Sequence, residues 1–173
     1  PEQVARRIVN TLPLKCIMAG FTHLDKGDQP IIVNVGKKEI TRRRAKAKSI
    51  VALPEVVYSA LQQGNFATKK GSVFQTAVIA GIMAAKKTGE LIPLCHPIGL
   101  ENCEIEIEIN HDHEIVIYCT AEVEAKTGVE MEALTGASVA ALTVYDMCKA
   151  LSHDIVIRET KLMEKTGGKN EFK

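Results

Sequence analysis

The chain has 173 residues, enough for one domain with a single sizeable core. Hydrophobic residues make up 46% and charged residues 25%, and the formal net charge is +1, so no bulk field draws the protein to nucleic acid or a membrane surface. Aromatic content is 4% with no Trp, which weakens base stacking, and no apolar run approaches the ~20 residues a spanning helix needs.

The first twenty residues contain an amphipathic piece, PEQVARRIVNTL, with two arginines and one acid. It reads as a peripheral helix or tail, or as the remnant of a transit peptide or fused segment. Over 40–52, Ala45, Ala47, Ser49 and Val51 take one parity and arginines or lysines the other, which predicts a strand. Pro54 opens a short helix, PEVVYSALQQG, that Gly64 ends. A second helix is expected from Ser72 to Lys87, with Phe74, Ala77, Val78, Gly81 and Ala85 on one face, and its small residues allow close packing. A Pro-punctuated loop, LIPLCHPIG, follows at 91–99.

Residues 103–109 alternate Cys103, Ile105, Ile107 and Ile109 with Glu104, Glu106 and Glu108. After a turn at His111–His113, alternation resumes through Ile115, Ile117, Cys119, Ala121 and Val123, predicting a hairpin with one wet, acidic face. A long helix is expected from Thr127 to Ala150, with Thr127 and Glu130 as a capping box. Met131, Thr135, Ser138, Leu142, Tyr145 and Lys149 recur at spacings of four and three and form one stripe, with Asp146 about 40° off it. A carboxylate and an amine thus project from the end of an otherwise apolar helix, where burial is costly unless the charges are paired or used. A last strand, IVIRETKLM, completes the order β-α-α-β-β-α-β. That is the split βαβ pattern of an α+β, ferredoxin-like fold with one added helix, an antiparallel sheet with helices packed on one face.

Several residues are candidates for chemistry. Lys69-Lys70-Gly71-Ser72 at a helix mouth suits a phosphate, or is a pair of solvated lysines beside an N-cap serine. Within Arg42-Arg43-Arg44, Arg43 points opposite to its neighbours, and the run is a site or a solvated edge. Cys95-His96 suits neither a nucleophile pair, because adjacent side chains diverge, nor zinc, because further ligands are lacking. His96 alone is a proton carrier or a structural histidine. Glu130 has a capping role, so Glu132 carries more weight, while Asp146 and Lys149 at i, i+3 are a surface salt bridge or a working pair. The tail KTGGK at 165–169 lacks Walker A spacing and reads as a flexible basic arm. The five cysteines, at 16, 95, 103, 119 and 148, form no CxxC, so no disulfide framework or common zinc spacing is visible and a reducing compartment is suggested.

Read together, LIPLCHP at 91–97, KTGVEMEALT at 126–135, VAALTVYDMCKA at 139–150 and EKTGGK at 164–169 closely resemble the MoaC family, and KKGSVFQTAVIAGIMAAKKT at 69–88 fits its second helix. The resemblance runs from about Phe21 to the C-terminus, so residues 21–173 are expected to be the catalytic domain and 1–20 an extension. It implies a cyclic pyranopterin monophosphate synthase of molybdenum cofactor biosynthesis, a lyase. Such enzymes convert (8S)-3',8-cyclo-7,8-dihydroguanosine 5'-triphosphate to cyclic pyranopterin monophosphate and release pyrophosphate. By the same resemblance Asp146, Lys149 and Lys70 are catalytic, while Leu94, Cys95, His96, Met131 and Glu132 contact substrate. Arg43 and Lys165 look like the family's further anion-binding groups. The resemblance also implies a homohexamer of paired subunits with the pocket between subunits, no cofactor and no metal, and a cytoplasmic location, or an organelle matrix if residues 1–20 are a processed leader. One departure is Val33-Asn34-Val35-Gly36, where the family commonly reads V-D-V-S; Asn34 cannot act as an anion. A nucleic-acid module would need basic and aromatic groups where the sheet carries Glu104, Glu106 and Glu108. A non-catalytic nucleotide-binding scaffold would not need Lys70, Asp146 and Lys149 together.

Overall fold

The computed structural model describes residues 23, 27, 29–168, 171 and 172; the expected extension over 1–20 lies outside the described residues. The chain divides into a first unit, Pro1–Asn34, and a second, Val35–Lys173. In the first, the Ile31 N–H donates to the His23 carbonyl at 2.9 Å. All that follows concerns the second.

Its elements run β1 (Thr41–Ala52), α1 (Glu55–Gln63), a two-residue ribbon β2 (Ala67–Thr68) and β3 (Gly71–Ser72), α2 (Val73–Ala85), α3 (Thr88–Leu91), β4 (Asn102–Ile109), β5 (Ile115–Ala125), α4 (Glu130–Cys148) and β6 (Val156–Thr166). The four long strands form one sheet in the order β4-β5-β1-β6, with every neighbouring pair antiparallel. Helix α4 packs on β1, β5 and β6, and α2 on α4 and β4. This is the ferredoxin-like α+β arrangement that the element order implied, with α1 as the added helix.

The parity of β1 follows its alternation: Ala45, Ala47, Ser49 and Val51 are buried beneath the helices. Pro54 and Gly64 bound α1, and Ser72 caps α2 by accepting the Gln75 N–H at 3.4 Å. The helices meet through small residues. A Cβ on Gly81 would stand 2.8 Å from the Gly136 carbonyl, and one on Gly136 would stand 2.5 Å from the Cys119 sulfur. Ala133, Ala137, Ala140 and Ala141 complete this close seam.

Three expectations need correction. The long helix begins at Glu130 with Val129 at the N-cap and no side-chain cap, so Thr127 and Glu130 form no capping box. The Glu130 carboxylate instead folds back over Gly128 and pairs with Lys165 at 2.9 Å. The wet, acidic face holds on β4, where Glu104, Glu106 and Glu108 are exposed, but on β5 the same face buries Val116 and Thr120, which stand in the sheet interior between Ile50 and Lys46 of β1 and Glu108 and Glu104 of β4. The basic tail is a chain reversal: Lys165 and Phe172 exchange both backbone hydrogen bonds, at 2.8 and 3.1 Å.

Candidate active site

Helices α2 and α4 run antiparallel, which brings the start of α2 to the end of α4. The β2–β3 turn, held where Thr68 Oγ1 accepts the Lys70 N–H at 3.1 Å, sends the Lys70 side chain across that junction. Lys70 Nζ lies 2.9 Å from Asp146 Oδ2, and Lys149 Nζ lies 2.8 Å from Asp146 Oδ1. One carboxylate therefore bridges two ammonium groups from elements 76 residues apart in sequence. Hydrogen bonds from Lys149 and then Lys70 hold Asp146 down at about 2, and the Asp146 hydrogen bond raises Lys149 above its ordinary range.

The cluster is not buried. Asp146, Lys149 and Lys70 side chains are 52%, 49% and 59% exposed, which corrects the expectation of a pair shielded within an apolar surround. The helix stripe is partly exposed: Met131 and Leu142 face solvent, Tyr145 packs half-buried against the core, and the Ser138 hydroxyl lies 3.4 Å from Thr160 on β6.

The other end of α4 has a different character. Glu132 is 3% exposed, and burial raises its carboxyl above the ordinary range. It lines a cavity of about 300 Å³ with Lys86, Lys87, Thr88, Glu90 and Pro97. Cys95 lies close enough for Glu132 to add to the effect of burial in raising its thiol. The loop carrying Leu94, Cys95 and His96 is half-buried, and Gly89 supports it: a Cβ there would sit 3.1 Å from Pro97 Cα.

Beside this end lie the two further cations. Arg43 does point opposite to its neighbours. Its Nε donates to the Ala125 carbonyl at 3.3 Å, while Arg42 and Arg44 share Glu122 on the open face at 2.6 and 3.1 Å. Gly167 and Gly168, at φ +79° and +93°, let the tail turn against the Arg43 guanidinium, where a side chain at Gly168 would collide. Lys165 is held by Glu130.

The ten residues singled out thus fall into two groups. Lys70, Asp146 and Lys149 gather at the C-terminal end of α4, and Glu132, Met131, Cys95, His96, Arg43 and Lys165 lie toward its N-terminal end, with Leu94 on the same loop. Met131 and Asp146 are fifteen residues apart on one helix, about 22 Å at 1.5 Å per residue. Sequence reasoning missed the Glu130–Lys165 pair and the Lys86–Lys87 contribution to the cavity wall. The lysine doublet at the end of α2 was a visible signal; the Glu130 pairing was not. Among the described residues no group of three or more His, Cys, Asp or Glu side chains is placed to hold a metal, and no helix is long and apolar enough to cross a membrane.

The sequence profile of the MoaC family matches residues 32–168, most of the chain. The chain belongs to the MoaC family. It is 51% identical over 161 residues to the cyclic pyranopterin monophosphate synthase of Xanthomonas campestris, covering 93% of this chain and 98% of that protein. It is 49% identical over 156 residues to the enzyme of the same name from Lysinibacillus sphaericus, covering 88% and 96%. A molybdenum cofactor biosynthesis bifunctional protein from Synechocystis is 50% identical over 153 residues, covering 86% of this chain but 44% of its own length. In this MoaC chain, both ends of α4 fall inside the matched segment.

Proposed function

We propose that this chain is a cyclic pyranopterin monophosphate synthase, a lyase of molybdenum cofactor biosynthesis that converts the cyclised dihydroguanosine triphosphate to cyclic pyranopterin monophosphate and pyrophosphate. The observation that carries the reading is the Lys70–Asp146–Lys149 cluster, found in a chain about half identical to synthases along nearly its whole length.

Forming the cyclic phosphate requires a substrate hydroxyl to attack phosphorus, lose its proton and expel pyrophosphate. Opening and reclosing the purine-derived rings requires further proton transfers. Lys149 and Lys70 are the proton-transfer groups in this proposal, and Asp146 tunes them. Because Asp146 favours the ammonium form of Lys149, the resting site presents an acid and a positive charge to the departing pyrophosphate. A base role follows once that proton is given up. Arg43 and Lys165 bind triphosphate oxygens, and Leu94, Cys95, His96, Met131 and Glu132 shape the pocket around the ring system.

A separation of about 22 Å between the two groups favours a site shared by two copies, the C-terminal end of α4 from one facing the N-terminal end from another. The half-exposed charges and the exposed Met131 and Leu142 fit such burial on assembly. The proposed assembly is a hexamer, a trimer of dimers, working in the cytoplasm, with residues 21–173 as the catalytic domain and 1–20 as an extension. The nucleic-acid reading is disfavoured by the open sheet face, where Lys46 covers the Tyr118 ring at 4.6 Å and pairs with Glu106.

The test is incubation of the purified protein with the cyclised triphosphate, with pyrophosphate and the fluorescent oxidised pterin both measured. Stoichiometric appearance of the two is the expected result. Binding of the triphosphate without either product returns the chain to the scaffold reading.

A further inference from the structure

Two thiols outside the proposed site face each other across the hairpin. Cys103 on β4 lies opposite Ala121, and Cys119 on β5 lies opposite Ile105, so the two form a diagonal cross-strand pair. Their sulfurs are 3.9 Å apart, within thiol hydrogen-bond reach. Their surroundings differ. Cys103 is half-buried, whereas Cys119 is fully buried against α4 at Gly136. The hydrogen bond from Cys119 holds the Cys103 thiol below its ordinary range despite partial burial, and Lys86 adds to that. The same bond and burial push Cys119 up. A nucleophilic thiol beside a protonated partner is the pairing that oxidant-sensitive cysteines use.

We propose that Cys103 and Cys119 are an oxidative modification site that closes to a reversible disulfide when a hydroperoxide reaches Cys103. The Cys103 thiolate attacks one peroxide oxygen, the O–O bond breaks, and the sulfur becomes a sulfenic acid as water or an alcohol leaves. The Cys119 sulfur then attacks the sulfenic sulfur; its proton departs with the hydroxyl as water, and the S–S bond remains. The two thiols lose two electrons together, and the peroxide gains them. Closure draws the sulfurs from 3.9 Å to about 2.05 Å. Diagonal neighbours stand wider than a relaxed disulfide prefers, so the strands must shift and the bond is readily reduced. The shift reaches the cavity at the N-terminal end of α4, because Lys86 lines it and Gly136 lies one turn from Glu132.

The test needs no turnover. The full chain is treated with hydrogen peroxide, its remaining thiols are alkylated, and it is cleaved after glutamates, which separates Asn102–Glu104 from Ile115–Glu122. The expected product is these two peptides joined, two hydrogens lighter than their sum, and parted by dithiothreitol. In Cys119→Ala, Cys103 is expected to stop at the sulfenic acid and be captured by a cyclic diketone; in Cys103→Ala, Cys119 is expected to stay reduced. Should Cys119→Ala fail to fold, the wild-type peptide map still decides. Oxidation at Cys95 or Cys16 that leaves both hairpin thiols free for alkylation overturns the proposal, as does Cys103 oxidised without a bond to Cys119.

Discussion

At the C-terminal end of α4 a carboxylate stands half in solvent and titrates low, held there by two lysines. At the N-terminal end of the same helix a carboxylate is buried in a cavity wall and titrates high, because burial disfavours its charge. Opposite shifts on one helix show that local surroundings, ion-pair partners at one end and burial at the other, set each group. On the proposed function, the first end carries the proton-transfer groups in a half-exposed setting, and the second carries the cavity wall and the cations that would bind the triphosphate. Each supplies what the other needs, and one copy keeps them apart.

The largest effect is expected at the exposed end. Lys149→Ala should lower kcat by about 10²–10⁴ while substrate still binds, the range for losing a general acid or base. Stability should change little, since the lost pair is solvent-exposed and screened. Turnover near wild type would remove Lys149 from the chemistry. A second experiment bears on the division between the ends. Lys149→Ala and Glu132→Ala, each expected to be strongly impaired alone, are mixed under conditions that exchange subunits. If a site takes one end from each copy, equal mixing regenerates about a quarter of the wild-type sites. No recovery, with mixed oligomers verified by mass, would place both ends in one chain.

Much of this was legible in the sequence. The alternation of β1 and the punctuation around α1 and α2 gave those elements to within two residues, since caps and parity are local signals. Asp146 and Lys149 were visible as neighbours because helical spacing makes them so. Lys70 was not, except through family resemblance: its arrival at Asp146 depends on two helices packing antiparallel, which no local window contains. Glu130 failed for the same reason. Its motif matched a capping box, and a lysine 35 residues away competed for the carboxylate. Cys103 and Cys119 lie between these cases, since alternation put both on the helix-facing side while their contact awaited the strand register.

A smaller effect should fall on both ends equally. Gly136→Ala forces a methyl toward the Cys119 sulfur in the seam that joins the helices, with Ala85 Cβ 3.4 Å away. Overpacking of this kind costs about 1–3 kcal/mol, so Tm should fall by roughly 2–12 °C at fixed protein concentration. The nearest clash is with the Cys119 sulfur, so the loss should shrink in the Gly136→Ala, Cys119→Ala double variant. An undiminished loss there would assign the strain to the helix backbones.

The subtlest prediction concerns Glu132 alone. Its folded pKa lies above the unfolded value, so the native state holds the proton more tightly and this group favours folding most at low pH. As pH rises from the ordinary glutamate range through the raised value, that advantage is lost, and the buried carboxylate is charged at a desolvation cost. Glu132→Gln keeps the shape and removes the charge, so at neutral pH the variant should be more stable by up to about 1 kcal/mol. The difference should narrow as pH falls below the raised value. Asp146→Asn runs the other way: its carboxylate favours folding above the ordinary aspartate range and loses that contribution as pH falls toward about 2, weakly because the group is exposed. Thermal melts of both variants from acid to neutral pH give the two slopes. A Glu132→Gln protein less stable than wild type at neutral pH would mean that donors in the cavity wall already compensate the charge. The carboxylate would then be a structural member of that wall, and the case for its facing substrate would weaken accordingly.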